Sequence, residues 1–259
     1  MPICDPEKIQ SNSTFKLIKS KLIIGLVVLI IIFDWFSVTI AVGVGLVTRN
    51  RQGGFGLGLA IIIVFNVLFL IFCASYAATV LIHPGYIDQS YTPNYIPSSR
   101  GDNDKETTIK QSENFPPTFR VQDARFEPTF CQECRIWRPA RAHHCRHSGR
   151  CVWEFDHYCP WIGQSVGGNN HKHFITFLFW CVVILSFTSI ALGCAYPSLT
   201  SDEHGDGLWS GRGRGPIIGA ISISAFFAFF VAGLLFNHIW LACDSVRPFI
   251  LEYSYAHII

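Results

Sequence analysis

Four long apolar runs constrain this chain more than any other feature. Leu22 to Val47 carries one charge, Asp34, while Leu57 to Ile82, Phe174 to Tyr196 and Pro216 to Cys243 carry none when His238 is neutral. A helix needs about 20 apolar residues to cross a hydrocarbon core of about 30 Å, and each run is long enough. Buried helices of a soluble protein are the competing reading, but four such runs are hard to bury in one small domain. The first run is too long for a signal peptide, and no small-residue cleavage site follows it cleanly. Composition agrees: 15% of residues are charged, against roughly 25% in soluble domains. The net charge of +2 is too small to argue for nucleic acid, and no helical segment carries a basic recognition face.

The basic residues orient the spans. Four lie in the N-terminal tail (Lys8, Lys16, Lys19, Lys21), eleven between His83 and His173, and one, Arg247, in the C-terminal tail. With four spans these three regions share one side, which holds sixteen of the twenty Lys and Arg residues. Positive charge collects on the cytosolic side. The sequence therefore predicts a multi-pass membrane protein with both termini in the cytosol. It divides into an N-terminal tail (1–21), spans one and two (22–82), a cytosolic linker (83–129), a cysteine-rich domain (130–173), spans three and four (174–243) and a short tail (244–259). The linker reads as flexible, because Ser98 to Asn114 is rich in charge and small polar residues. No internal repeat is visible.

Five of the ten cysteines (Cys131, Cys134, Cys145, Cys151, Cys159) fall in the cytosolic cysteine-rich segment. In a reducing compartment such a cluster means metal or catalysis rather than disulfides. A segment this small builds little core, and a metal is the usual remedy. Cys131-x2-Cys134 is a zinc-knuckle spacing, and with His144 and Cys151 it makes a tetrahedral zinc set of three sulfurs and one imidazole. Spacing leaves His143, Cys145 and His147 open as further ligand candidates.

A second constellation follows. Asp156, His157 and Cys159 fall within four residues. A thiolate attacks well once its pKa is drawn below the free value of about 8.5. A histidine can take the thiol proton, and a carboxylate can hold that histidine in the right tautomer. The nearby Arg146 and Arg150 favour the anion further.

These residues carry a resemblance. Cys131-x2-Cys134, Arg138-Pro139-x-Arg141-x2-His144-Cys145, Cys151, Asp156-His157-Tyr158-Cys159-Pro160-Trp161 and Val166-Gly167-x2-Asn170-x3-Phe174 resemble the cysteine-rich domain of DHHC protein S-acyltransferases. The resemblance implies an α-helical integral membrane protein with four transmembrane helices, and a small zinc-stabilised cytosolic domain between helices two and three. It implies a protein-cysteine S-palmitoyltransferase. Cys159 would take palmitoyl from palmitoyl-CoA and pass it to a cysteine of a membrane-associated protein substrate. His157 would be the general base and Asp156 its orienter. The partners implied are acyl-CoA, protein substrates and the lipid bilayer.

The departures are specific. The family pattern places a second zinc at positions 145, 148, 158 and 165, which are Cys145, Ser148, Tyr158 and Ser165 here. Neutral hydroxyls are poor zinc ligands, so one structural zinc is expected, on Cys131, Cys134, His144 and Cys151. The Asp-His-Tyr-Cys run resembles a fungal subgroup without ankyrin repeats. The family's Asp-Pro-Gly appears as His83-Pro84-Gly85, and its Thr-Thr-x-Glu is not recognisable. A catalytically weak or inactive membrane adaptor, its zinc module binding partners, is the alternative.

Overall fold

The computed structural model describes residues 6–39, 54–88, 129–139, 141–200 and 214–256. The first loop with Arg49 and Arg51, the third loop with Arg212, and most of the expected linker lie outside the described residues. Among those described, four long helices stand out: α1 (Pro6–Phe36), α2 (Gly54–Leu81), α3 (His171–Thr200) and α4 (Arg214–Ala256). Six short strands fall between α2 and α3 in sequence: β1 (Thr129–Cys131), β2 (Ile136–Arg138), β3 (His143–Cys145), β4 (Arg150–Val152), β5 (His157–Cys159) and β6 (Gln164–Val166).

The helices follow from the apolar runs. Where no water can satisfy the backbone, a single segment must pair its own N–H and C=O groups, and only a helix does that. Lys21–Thr39, Phe55–Leu81, His171–Pro197 and Ile217–Cys243 are each long and apolar enough to cross a membrane. Between 11% and 28% of each window is buried inside the protein. Most of the apolar surface therefore needs another apolar medium, as a bilayer provides. This is the architecture of a multi-pass membrane protein. Helix and apolar run do not end together, however. α1 already begins at Pro6 and α4 continues to Ala256, so both helices run on into the segments that the sequence reading calls tails. Lys, Glu and Arg are good helix formers, so polarity alone does not stop a helix.

The chain divides into two compact units, Met1–Gly25 with Val80–Lys172, and Leu26–Thr79 with His173–Ile259. The second holds most of the helical bundle. Its core gathers Val38, Phe65, Phe72, Ile184, Leu192 and Ile217. Polar side chains pair across helices: Trp35 Nε1 donates to Asn66 Oδ1 at 3.0 Å, and Asn66 Nδ2 donates to Thr39 Oγ1 at 3.3 Å. Asp34, which has no obvious partner in the sequence, accepts from Ser224 Oγ at 3.4 Å.

The first unit contains three antiparallel hairpins, β1–β2, β3–β4 and β5–β6. They are copies of one design at a 14-residue interval. Each first strand ends in a buried cysteine, Cys131, Cys145 or Cys159. Each turn ends in a residue with positive φ: Arg135 at 56°, Gly149 at 65° and Gly163 at 69°. Gly149 N–H closes its turn onto Cys145 O at 2.9 Å, as Gly163 N–H does onto Cys159 O at 3.0 Å. This corrects the expectation of no internal repeat. The repeat shows in cysteines and turn geometry rather than in apolar periodicity, so composition does not reveal it.

A second difference concerns the linker, expected from residue 83. Residues 84–87 instead pack against the hairpins. Trp153 N–H donates to Gly85 O at 2.7 Å, Ile87 N–H donates to Cys151 O at 2.9 Å, and Tyr86 bridges to Val152. Gly167 permits this approach, since a Cβ there would meet Val152 Cγ1 at 2.5 Å and Pro84 O at 2.6 Å.

Candidate active site and metal centre

The first corner lies between hairpins one and two. Cys131 ends β1, Cys134 sits in the β1–β2 turn, and His144 and Cys151 face each other across β3 and β4. Their ligand atoms all lie within 4.8 Å of one another. His144 Nδ1 is 3.6 Å from Cys131 Sγ, 3.2 Å from Cys134 Sγ and 3.9 Å from Cys151 Sγ. With Zn–S near 2.3 Å and Zn–N near 2.0–2.1 Å, a tetrahedral zinc puts sulfur and nitrogen about 3.6 Å apart. The four donors fit such an ion. Charge points the same way: burial, then the Cys131 and Cys134 sulfurs, push the Cys151 thiol up. Three sulfurs this close need a cation to be anionic together. Of the alternatives left open by spacing, the structure keeps His143, Cys145 and His147 out of this cluster.

The second corner lies between hairpins two and three. Shifting the first set by one 14-residue repeat gives Cys145, Ser148, Tyr158 and Ser165, the positions named from the family pattern. Tyr158 and Ser165 face each other across β5 and β6, as His144 and Cys151 do one repeat earlier. Ser165 Oγ donates to Cys145 Sγ at 3.2 Å. Burial works to raise the Cys145 thiol, but the Ser165 hydroxyl and the His147 and Ser148 amides help hold it below its ordinary range, while the Ser148 hydroxyl is buried without a hydrogen-bond partner. The Tyr158 ring stacks on His147, centroids 4.3 Å apart and planes 10° from parallel. One sulfur among three hydroxyls does not fit a zinc ion.

The third hairpin carries the candidate nucleophile. On a strand, alternate residues share a face, so His157 and Cys159 point one way and Tyr158 the other. The strand thus separates chemistry from scaffold within four residues. His157 Nδ1 lies 3.2 Å from Asp156 Oδ2. Hydrogen bonds to Asp156 and then to Cys159 push His157 up to about 9, against the opposing effect of burial. At neutral pH the imidazole is therefore protonated, flanked by a carboxylate and a buried sulfur.

Two further residues, His171 and Gln164, matter that sequence reasoning did not single out, and Asn170 of the quoted motif takes a defined place. His171, the first residue of α3, brings Nε2 to 3.7 Å from Asp156 Oδ2. Asn170 is fully buried, with Oδ1 accepting from Gly167 N–H at 2.9 Å and Nδ2 donating to Ser165 O at 3.0 Å. Gln164 faces Cys159 across the β5–β6 pair. Arg141 Nη1 pairs with Glu154 Oε1 at 3.2 Å.

Comparison with known proteins matches the same region. Residues 124–247 match the family model described as DHHC palmitoyltransferase. The chain is 30% identical over 203 residues to "Probable protein S-acyltransferase 14" of Arabidopsis thaliana, covering 75% of this chain and 62% of that protein. It is 53% identical over 58 residues to "Palmitoyltransferase PFA3" of Yarrowia lipolytica, 22% of this chain and 14% of the relative. It is 25% identical over 188 residues to "Palmitoyltransferase ZDHHC15" of Xenopus laevis, 70% and 54% respectively. The chain thus spans less than two thirds of the length of these relatives. The match takes in all three hairpins, both corners and the Asp-His-Tyr-Cys strand, so it is through residues 124–247 that the chain is similar to the DHHC palmitoyltransferase family.

Proposed function

We propose that this protein is a protein-cysteine S-palmitoyltransferase, with Cys159 as nucleophile, His157 as its proton partner and Asp156 as the orienter. One observation carries the reading: Asp156 Oδ2 lies 3.2 Å from His157 Nδ1, with Cys159 on the same strand face as His157. The Cys159 thiolate attacks the thioester carbonyl of palmitoyl-CoA. The bond to the CoA sulfur breaks, and the proton held by His157 goes to the departing CoA thiolate. Neutral His157 then takes the proton of a substrate cysteine, whose thiolate attacks the acyl-Cys159 thioester. Cys159 leaves as a thiolate, and the imidazolium is restored. Zinc on Cys131, Cys134, His144 and Cys151 would pin the first two hairpins together and takes no part in the chemistry. The site lies on the cytosolic side, a reading supported by the distribution of Lys and Arg. Acyl-CoA and protein substrates of the membrane surface are the implied partners.

The test uses the full chain in lipid nanodiscs with labelled palmitoyl-CoA. The expected result is a label that hydroxylamine removes and that Cys159→Ser abolishes. Equal labelling of wild type and Cys159→Ser would overturn the acyl-enzyme, and no label in either would favour the membrane-adaptor reading.

A further inference from the structure

Gln164 lies directly opposite Cys159 in the β5–β6 pair, but its side chain leaves the hairpin. Nε2 donates to Val80 O at 2.9 Å and to Ile82 O at 3.0 Å. Val80 is in the last turn of α2 and Ile82 follows that helix directly. The last four carbonyls of a helix have no partner within it, and the two N–H groups of one amide satisfy carbonyls at that end. Val80, Ile82 and Gln164 all belong to the unit Val80–Lys172, so this tie is internal to it. The hairpin design does not itself demand glutamine. The equivalent positions one and two repeats earlier are Arg150, whose guanidinium sits over the Tyr86 ring, and the buried Ile136.

We propose that Gln164 is a positioning residue for acyl transfer, tying the strand pair that carries Cys159 to the end of a membrane-crossing helix. This rests on the acyltransferase reading. A long acyl chain enters lipid with a gain for every methylene, so the membrane sets the depth at which its thioester carbonyl is presented. A nucleophile at the end of a free hairpin would wander against that fixed depth. A nucleophile whose strand partner grips the helix end keeps its distance. A water-soluble short-chain thioester, free to approach from any side, needs no such registration.

The experiment compares wild type with Gln164→Leu, which keeps the volume and removes both donors, as full chains in phosphatidylcholine nanodiscs. Single-turnover acylation is followed with palmitoyl-CoA and with acetyl-CoA, alongside iodoacetamide alkylation of Cys159 and zinc content. A misplacement of about 1 Å costs about 100-fold in rate. The palmitoyl-CoA rate is therefore expected to fall by about that factor, while the acetyl-CoA and alkylation rates change by less than about threefold and zinc is retained. Gln164→Asn keeps both donors on a shorter arm and should fall between the two. It decides the question if the leucine variant loses its zinc. Equal losses with both thioesters, or no loss with either, overturn the proposal. Failure of the underlying reading looks different: wild type itself then takes no palmitoyl label.

Discussion

The two hairpin corners share one backbone frame and hold it closed in different ways. In the first, Cys131, Cys134, His144 and Cys151 converge as four metal donors. In the second, the same four places hold Cys145, Ser148, Tyr158 and Ser165. A hydroxyl donates to the lone sulfur at 3.2 Å, and an aromatic ring stacks outside it. The hairpin design therefore sets where donors converge, and the side chains decide whether a cation is needed. Three crowded thiolates demand one. A single thiol surrounded by hydroxyl and amide donors is satisfied without it.

Removing ligands tests this contrast at its strongest. Binding of structural zinc is worth about 10–16 kcal/mol in small peptides, far more than hairpins this short can supply. Cys134→Ser is expected to drop bound zinc from about one ion per chain to near none and to unfold the hairpin unit. Cys145→Ser should leave zinc content unchanged. Metal analysis of purified protein reads both, and loss of zinc in the Cys145 variant would erase the distinction between the corners.

The contrast can also be reversed. Ser148→Cys, Tyr158→His and Ser165→Cys together rebuild the first donor set one repeat later, on a frame that already brings those positions to one corner. Zinc content is expected to rise from about one to about two per chain. No rise would mean that the corners differ in backbone as well as in side chains.

Much of this was legible in the sequence. The apolar runs name the spans, because crossing a bilayer requires length and lack of charge and little else. The first donor set is read from spacing, since two cysteines on one tight turn are already neighbours. The hairpin repeat was not legible. Its marks are the cysteines at 131, 145 and 159 and the turn ends at 135, 149 and 163, and Arg135 hides one of those marks by adopting a left-handed φ that usually signals glycine. Gln164 and His171 were missed for another reason. Their partners, Val80 and Ile82 for one and Asp156 for the other, are distant in sequence or on another element. Residues 84–87 read as linker because their partners, Cys151, Val152 and Trp153, are distant in sequence.

The third cysteine of the series meets a different neighbour, and pH separates it from the others. His157 is held at about 9 in the folded protein, above the ordinary value of about 6.5. A raised pKa stabilises the fold fully below the ordinary value, and that stabilisation is lost as pH rises through about 9. Thermal stability of the wild type in nanodiscs should therefore decline between about pH 6.5 and pH 9. Asp156→Asn removes the largest cause of the shift, so the decline should move toward lower pH. An unchanged profile in that variant would show that Asp156 does not hold the imidazolium.

The smallest expected effect is at the His147–Tyr158 stack. An aromatic pair adds about 0.5–1.5 kcal/mol beyond the area it buries. His147 is exposed, so water already solvates much of its ring and the lower end applies. His147→Ala should destabilise the hairpin unit by about 0.5 kcal/mol, and His147→Phe should restore most of it by keeping a flat ring over Tyr158. Tyr158 faces away from Cys159 on the same strand, so a modest loosening there should leave iodoacetamide alkylation of Cys159 nearly unchanged. Hydrogen exchange at the β5 and β6 amides measures the first effect and alkylation the second. If alanine leaves exchange unaltered, the ring contact is incidental, and the second corner is held by the Ser165–Cys145 hydrogen bond and the Asn170 cap alone.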